Sequence, residues 1–306
     1  MSPAAIDAVL LVAFGGPTAP EEIGPFLDNV TRGRGIPPAR IEEVARHYER
    51  MPGSRSPLND LTVAQARALE RALAARGRPL PVHVGMRNWH PYLAETLAEM
   101  TRAGRRRALA VIMSSLRTEA SWERYQQDVR DAQAGVAGAP AIEFAPGWFE
   151  RAGFLDAVAD RARAALDEVP ADIRRWTPLI FTAHSVPVAM AEGSPYVTEF
   201  ATAARAVVER LGHPRFSLAY QSRSGSPHEP WLGPDVTEVL KGLAGAPHAV
   251  VVPIGFVCDH VEILYDLDVE ARARAGSLGI ALHRARAVND HPAFIAALAD
   301  LVGEAP

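Results

Sequence analysis

Short apolar runs alternate along the chain with longer segments in which apolar positions recur at helical spacing. The apolar runs have the length of buried strands and cover Ala8–Ala13, Ala108–Met113, Pro178–Ala183 and Ala249–Val252. The periodic segments, rich in Ala, Leu, Arg and Glu, predict helices at Val63–Ala75, Tyr92–Ala103, Phe154–Leu166, Pro195–Leu211, Val269–Ala275 and Pro292–Val302. Strands that alternate with helices in this way predict an α/β fold with parallel strands.

The elements fall into two similar halves. A stretch rich in Ala, Gly and Pro, Gly135–Pro146, predicts the division between them. We therefore expect an N-terminal half at residues 1–140 and a C-terminal half at residues 141–306. The last helix, Pro292–Val302, is expected to return to the first half. The turn at Gly15 lacks the spacing of a dinucleotide fingerprint, which argues against NAD or ATP binding there.

Candidate chemistry lies where two of the predicted strands end. The run Pro178–Ala183 leads into His184, and imidazole is a common ligand of divalent metals and a proton acceptor near neutral pH. The run Ala249–Val252 leads through a loop to Glu262. One His and one Glu cannot hold a structural zinc ion, which needs four protein ligands. They can bind an iron ion loosely or accept protons from a substrate, and a purely structural His184 is the alternative.

Three carboxylates, Glu262, Asp266 and Glu270, follow one another at intervals of four residues. This spacing places them roughly on one face of a helix. The row begins beyond a strand end, where open α/β sheets bind their ligands. It predicts a path for cations or protons, and the alternative interpretation is a solvated acidic helix face.

Segments along nearly the whole chain resemble those of the ferrochelatases, which insert ferrous iron into a porphyrin. The two signature segments contain His184 (T-A-H-S-V-P) and Glu262 (P-I-G-F-V-C-D-H-V-E-I-L-Y-D). Further similar segments, in the same order as in the family, are Leu10–Pro17, Asn29–Pro37, Ser56–Asp60, Val84–Pro91 and Tyr220–Asp235. The sequence resembles most closely the actinobacterial and other Gram-positive-type enzymes, whose substrate is coproporphyrin III rather than protoporphyrin IX.

The resemblance implies a fold of two Rossmann-like halves, each a parallel sheet flanked by helices, with the porphyrin cleft between them. It implies that His184 and Glu262 are the catalytic and metal-binding residues. Asp266 and Glu270 would then continue a proton and metal path. By the same resemblance, Ser56 and Tyr125 fall on positions that bind propionates and Tyr48 lines the cleft; turn formation by Ser56 and packing by Tyr125 are the alternatives.

A porphyrin is a flat apolar disc with carboxylates on its rim, so its pocket needs apolar walls and anion donors. Guanidinium groups match carboxylates, and six occur between Thr31 and Asp60: Arg32, Arg34, Arg40, Arg46, Arg50 and Arg55. Arg32 and Arg34, in a glycine-rich loop, are the favoured candidates, and the others also suit a solvated helix face. Phe14 stands where many coproporphyrin enzymes carry Tyr; a phenyl ring cannot ligate iron, so Phe14 would stack on or border the macrocycle.

Composition sets limits on cofactors, partners and location. Cys258 is the single cysteine, and a [2Fe–2S] cluster normally needs four thiolates, so we expect no cluster, no tightly bound cofactor and a packing role for Cys258. A net charge of −4 gives no reason to expect nucleic acid as a partner. No apolar run approaches the roughly 20 residues of a membrane span and no signal pattern begins the chain, which favours the cytoplasm.

The leading function is a ferrochelatase, a lyase that gives coproheme in haem biosynthesis. Its partners would be coproporphyrin III, Fe²⁺ as substrate, and neighbouring haem-pathway enzymes in transient contacts. A ferrochelatase that gives protohaem and a non-catalytic porphyrin or haem carrier are the alternatives, although a carrier does not need His184 with an acidic row. A metallohydrolase would call for a zinc motif such as H-x-x-x-H, which the sequence lacks. Arg117 and Glu119 receive no role, and His260, two residues before Glu262, is either a supporting partner of Glu262 or a loop residue without a role.

Overall fold

The computed structural model describes residues 5–33, 35–224, 229–243 and 245–305. The chain forms two compact units. The first unit consists of Met1–Ser114, Glu119–Trp148 and Asp290–Pro306, and the second of Ser115–Thr118 and Phe149–Asn289. None of the helices within the described ranges combines the length and apolar character that a membrane crossing requires.

The strands and helices alternate, as the hydrophobic pattern predicts. The strands are β1 (Ala8–Ala13), β2 (Val82–Met86), β3 (Arg107–Ile112), β4 (Ala141–Phe144), β5 (Leu179–His184), β6 (Phe216–Gln221), β7 (His248–Val252) and β8 (Ala281–Arg284). The α-helices are α1 (Ile23–Thr31), α2 (Pro38–Glu49), α3 (Leu58–Ala75), α4 (Leu93–Arg102), α5 (Arg124–Ala134), α6 (Ala152–Asp167), α7 (Val188–Glu192), α8 (Tyr196–Leu211), α9 (Val236–Gly242), α10 (Val261–Tyr265), α11 (Arg272–Ser277) and α12 (Pro292–Gly303).

The first unit contains a four-stranded parallel sheet in the order β2-β1-β3-β4. Its central strand β1 is buried along its whole length, because parallel sheets are covered by helices on both faces and their strands read as continuous apolar runs. On one face, Leu10, Val12 and Ala110 pack against Leu97 of α4 and Val129 of α5.

The second unit repeats this architecture with the strand order β6-β5-β7-β8, again all parallel. Ile180 of β5 and Val251 of β7 form a core with Leu240 of α9 and with Ile263 and Leu267, which follow β7 along the chain. The expected fold class, two Rossmann-like halves that each hold a parallel sheet flanked by helices, is therefore confirmed for each unit.

The bounds of the units differ from the expected division at residue 140. Strand β4 lies inside the stretch Gly135–Pro146 and pairs with β3 in the register Arg107↔Ala141, so the first unit extends to Trp148. The expected return of the last helix is confirmed, because α12 packs on α3 and Phe294 contacts Trp148 with ring centroids 5.4 Å apart. The end of the chain therefore belongs to the first unit.

Candidate active site

His184 is the last residue of β5, at the carboxyl edge of the second sheet. Its Nδ1 hydrogen-bonds the backbone carbonyl of Ser185. A ring nitrogen that donates to a carbonyl carries the proton in a neutral imidazole, which leaves the other nitrogen, Nε2, as the acceptor. The buried Tyr196 hydroxyl donates to the His184 carbonyl at 2.7 Å. Because 29% of the His184 side chain is exposed, Nε2 is presented to a ligand on a fixed strand end.

The loop after β7 is held tightly beside β5. Gly255 approaches so closely that a Cβ atom at this position would lie 2.7 Å from the Cα of Ala183. Its N–H donates to the Thr182 carbonyl at 3.0 Å. A glycine is therefore required where the loop passes the residue before His184.

Asp259 fixes the end of the same loop. Its buried carboxylate accepts hydrogen bonds from Arg284 at 2.7 Å, from the Ala287 N–H at 3.0 Å and from the Asn289 amide at 2.8 Å. Burial alone would raise the pKa of Asp259, but Arg284 and these donors outweigh burial and lower the pKa below its usual range. The loop is thus held to the end of β8 by a charged carboxylate.

Glu262 lies in the first turn of α10, directly after this loop. Its backbone N–H donates to Nδ1 of His260 at 3.2 Å, so His260 caps the helix. Burial lowers the pKa of His260, which keeps its ring neutral and able to accept this bond, although Glu262 and Asp259 oppose the shift. His260, for which the sequence offered a supporting role beside Glu262, therefore supports the backbone that carries Glu262.

The structure brings His184 and Glu262 together. Nε2 of His184 lies 3.8 Å from Oε1 of Glu262, and 41% of the Glu262 side chain is exposed. Both atoms accept protons, and at this distance they do not hydrogen-bond each other directly. A divalent first-row cation with bond lengths of about 2.0–2.2 Å can contact both. The pair can therefore bind a cation or take up a proton from a bound molecule.

The acidic row continues along an irregular helix. Asp266 begins a π-helical segment, Asp266–Ala271, between α10 and α11. In a regular α-helix, residues four apart drift around the axis by about 40° per step; the wider turn of a π segment offsets this drift. Asp266 is half-buried and accepts a hydrogen bond from the Ser222 hydroxyl, and Glu270 is exposed. The row of carboxylates thus ends at an exposed residue, Glu270.

The residues predicted to bind the porphyrin lie in the first unit. Phe14, directly after β1, is exposed and contacts Phe26 edge-on, with ring centroids 6.5 Å apart. Phe26 also contacts the buried Tyr48 and Trp89, at 5.8 and 5.9 Å. Four aromatic rings therefore cluster beside the carboxyl end of β1, with Phe14 as the exposed member.

The three polar candidates differ in exposure. Ser56 is buried under Gly16, where a Cβ atom would lie 2.7 Å from that of Ser56. Tyr125 is buried with the Arg87 guanidinium 4.2 Å above its ring. Arg32 is exposed at the end of α1, and Arg34 lies outside the described residues. Arg32 is thus the candidate that reaches solvent in this conformation.

Several supporting residues were missed from the sequence. Tyr196 and Ser222 are examples, because each acts through a contact with a distant part of the chain. Arg117, to which the sequence assigned no role, binds the buried carboxylate of Glu199 through its N–H at 2.9 Å and its Nε at 2.6 Å. Glu119 forms an exposed ion pair with Arg124. Among the residues that the structure describes, no three His, Cys, Asp or Glu side chains form a metal-binding group.

Comparison with known proteins agrees with the fold and identifies the family. The family model described as Ferrochelatase matches residues 6–305. The chain therefore belongs to the ferrochelatase family, and the expected enzyme class, metal insertion into a porphyrin, is confirmed.

Relatives and a solved structure extend this result. The chain is 43% identical to the coproporphyrin III ferrochelatase of Streptomyces coelicolor, over 97% of this chain and 85% of that protein. It is 45% identical to that of Frankia alni, over 98% and 80%. The structure of SirB from Bacillus subtilis with Fe³⁺ superposes with a TM-score of 0.59 at 12% identity, over 97% and 94%. The last similarity concerns the fold alone.

Proposed function

We propose that this ferrochelatase inserts Fe²⁺ into coproporphyrin III and releases coproheme, in the cytoplasm. The observation that carries the chemistry is the 3.8 Å separation of His184 Nε2 and Glu262 Oε1 at a sheet edge. Two pyrrole N–H protons must leave a porphyrin as the metal enters. In the proposed reaction His184 accepts protons, Glu262 contacts the incoming Fe²⁺, and Asp266 and Glu270 pass iron inwards or protons outwards.

The choice of coproporphyrin III rests on charge and on the named relatives. Coproporphyrin III carries four propionates and protoporphyrin IX carries two. Between Thr31 and Asp60 the chain carries six arginines and four acidic residues, so this segment has a net positive charge. The Streptomyces and Frankia relatives are named for coproporphyrin III. A net positive segment suits the substrate with more carboxylates.

In this proposal, residues of the first unit bind the rim of the porphyrin. Phe14 borders the macrocycle, Arg32 supplies charge, and Tyr48 contributes to the apolar wall. Ser56 and Tyr125 hydrogen-bond propionates, which requires that the groups covering them move when substrate binds.

Loss of a hydrogen bond to a charged group removes about 1.5–3 kcal/mol, so Tyr125→Phe should weaken coproporphyrin binding about tenfold or more in a fluorescence titration, with a smaller effect on kcat.

The test is metal insertion by the purified protein. Coproporphyrin III and protoporphyrin IX are offered separately with Fe²⁺ under anaerobic conditions, and iron insertion is followed by absorbance. We expect a kcat/KM at least tenfold higher for coproporphyrin III. Equal or reversed preference would contradict the substrate assignment, and tight binding of both porphyrins without metal insertion would favour a carrier.

A further inference from the structure

Gln221 touches the backbone of both active-site segments. It is the last residue of β6 and faces His184 in the parallel pairing of β5 and β6. Its carbonyl accepts a hydrogen bond from the Ser185 N–H at 2.7 Å. Facing residues of a parallel pair present their side chains to the same face of the sheet. The Gln221 side chain therefore lies on the face of the sheet that also carries the His184 imidazole.

The same side chain reaches the helix that carries the carboxylate. Nε2 of Gln221 donates to the backbone carbonyl of Glu262 at 3.1 Å, and Gln221 is only 1% exposed. That carbonyl also accepts the Asp266 N–H within the helix. The reverse amide orientation would bring two oxygens together, so this contact fixes which atom is the nitrogen.

We infer that Gln221 is a positioning residue that sets the distance between the His184 imidazole and the Glu262 carboxylate. This inference rests on the proposed function, because it assigns a role within metal insertion. Gln221 holds the strand end through its main chain and the first turn of α10 through its side chain. It carries no charge, and these hydrogen bonds join it to the backbone of Ser185 and of Glu262. A displacement of about 1 Å in a catalytic pair can cost about a hundredfold in rate.

The stability of the fold does not explain why residue 221 carries an amide side chain. Its oxygen, Oε1, is buried and has no hydrogen-bond partner among the described residues. A buried polar atom in that state is costly. Methionine has a similar volume and would remove the hydrogen bond and the unsatisfied oxygen together, so Gln221→Met should leave overall stability nearly unchanged while the spacing of the pair loosens.

The experiment compares Gln221→Met, Gln221→Asn and a matched control, Gln133→Met. Asparagine keeps the amide but is one methylene too short to reach Glu262. Gln133 likewise donates to a carbonyl, that of Pro140 at 2.7 Å, but in the first unit. We expect both Gln221 variants to lose about tenfold to a hundredfold in kcat for coproporphyrin III. The KM for the porphyrin and the thermal midpoint should stay near wild type, and Gln133→Met should keep full activity.

A second arm repeats Gln221→Met in a Glu262→Gln background. If Gln221 acts by placing the Glu262 carboxylate, Gln221→Met should lower the kcat of the Glu262→Gln protein by less than about twofold, because the two changes remove one interaction. An equal loss in both backgrounds, or a loss that follows thermal stability, would overturn the inference. The inference would also be overturned if the wild type is active and Gln221→Met is equally active. Wild-type protein that metallates neither porphyrin would instead overturn the proposed function and this inference with it.

Discussion

His184 is the residue whose replacement should affect the chemistry most directly. Its Nε2 is the acceptor that a pyrrole N–H would meet, and proton transfer by a positioned side chain typically contributes about 10²–10⁴ in rate. His184→Ala should therefore bind coproporphyrin III normally and lose most turnover, as measured by fluorescence titration and by rates of iron insertion. His248→Ala, at the amino end of β7, is the matched control and should remain active. A His184→Ala kcat near wild type would contradict the assignment.

The three carboxylates of the row should not be equivalent. Glu262 lies 3.8 Å from His184, Asp266 is one step further along and bound by Ser222, and Glu270 is exposed. Glu262→Gln should reduce kcat severely, Asp266→Asn should reduce it modestly, and Glu270→Gln least. Rates of Fe²⁺ insertion for the three variants decide the matter. If all three remain close to wild type, the row is a solvated helix face without a catalytic role.

At the scale of elements, the loop between β7 and α10 depends on one charged carboxylate. Asp259→Asn breaks a buried ion pair with Arg284 and should lower the free energy of unfolding by about 3–5 kcal/mol at neutral pH. The folded-state pKa of Asp259 is lowered, so its contribution is present above the unfolded pKa of about 3.9 and is lost as pH falls through the folded value. Urea unfolding of both proteins at several pH values measures this difference.

The control for Asp259→Asn is Asp300→Asn, which removes an exposed ion pair with Arg76 in the first unit. Exposed pairs contribute roughly 0–1 kcal/mol, so this variant should remain close to wild type. A gap between wild type and Asp259→Asn that does not narrow as pH falls below the unfolded-state pKa of Asp259 would show that the Asp259 charge is not the source of the stability.

The elements that the sequence predicted well are those with long, uniform patterns. Ala8–Ala13 coincides with β1, because a short run of six consecutive apolar residues is typical of a buried strand. Strands β2, β4, β6 and β8 were missed. β4 and β8 have four residues each, too short for a periodic signal, and β2 and β6 interrupt their apolar residues with polar ones or glycine. The π-helical segment Asp266–Ala271 was also missed, since its hydrogen bonds depend on packing that the residue pattern does not encode.

The lack of a local sequence signal also decides which residues of the site could be predicted. His184 and Glu262 could be chosen because each follows a recognisable strand and carries a distinctive functional group. Gln221 could not, because its contact with the Glu262 carbonyl depends on the register between β5 and β6. Register is set by the three-dimensional pairing of strands that lie far apart in sequence, so residues that act through it carry no local signal.

At the scale of the whole molecule, the first unit depends on the end of the chain. Phe294 of α12 is fully buried and packs on Trp148. Phe294→Ala should cost about 3–5 kcal/mol, and the loss should fall on the first unit. Hydrogen exchange should accelerate at amides of β1 and β3 and change little at those of β5 and β7. Equal acceleration in both sheets would show that the two units unfold as one.

The division of the chain also bears on the order of folding during synthesis. Every residue of the second unit precedes Asp290, whereas the first unit needs Asp290–Pro306 to complete its packing. Chains emerge from the ribosome amino end first and domains fold as units. The unit that begins the chain is therefore the one that finishes last, and the sheet that carries His184 can form while the first sheet still lacks its closing helix.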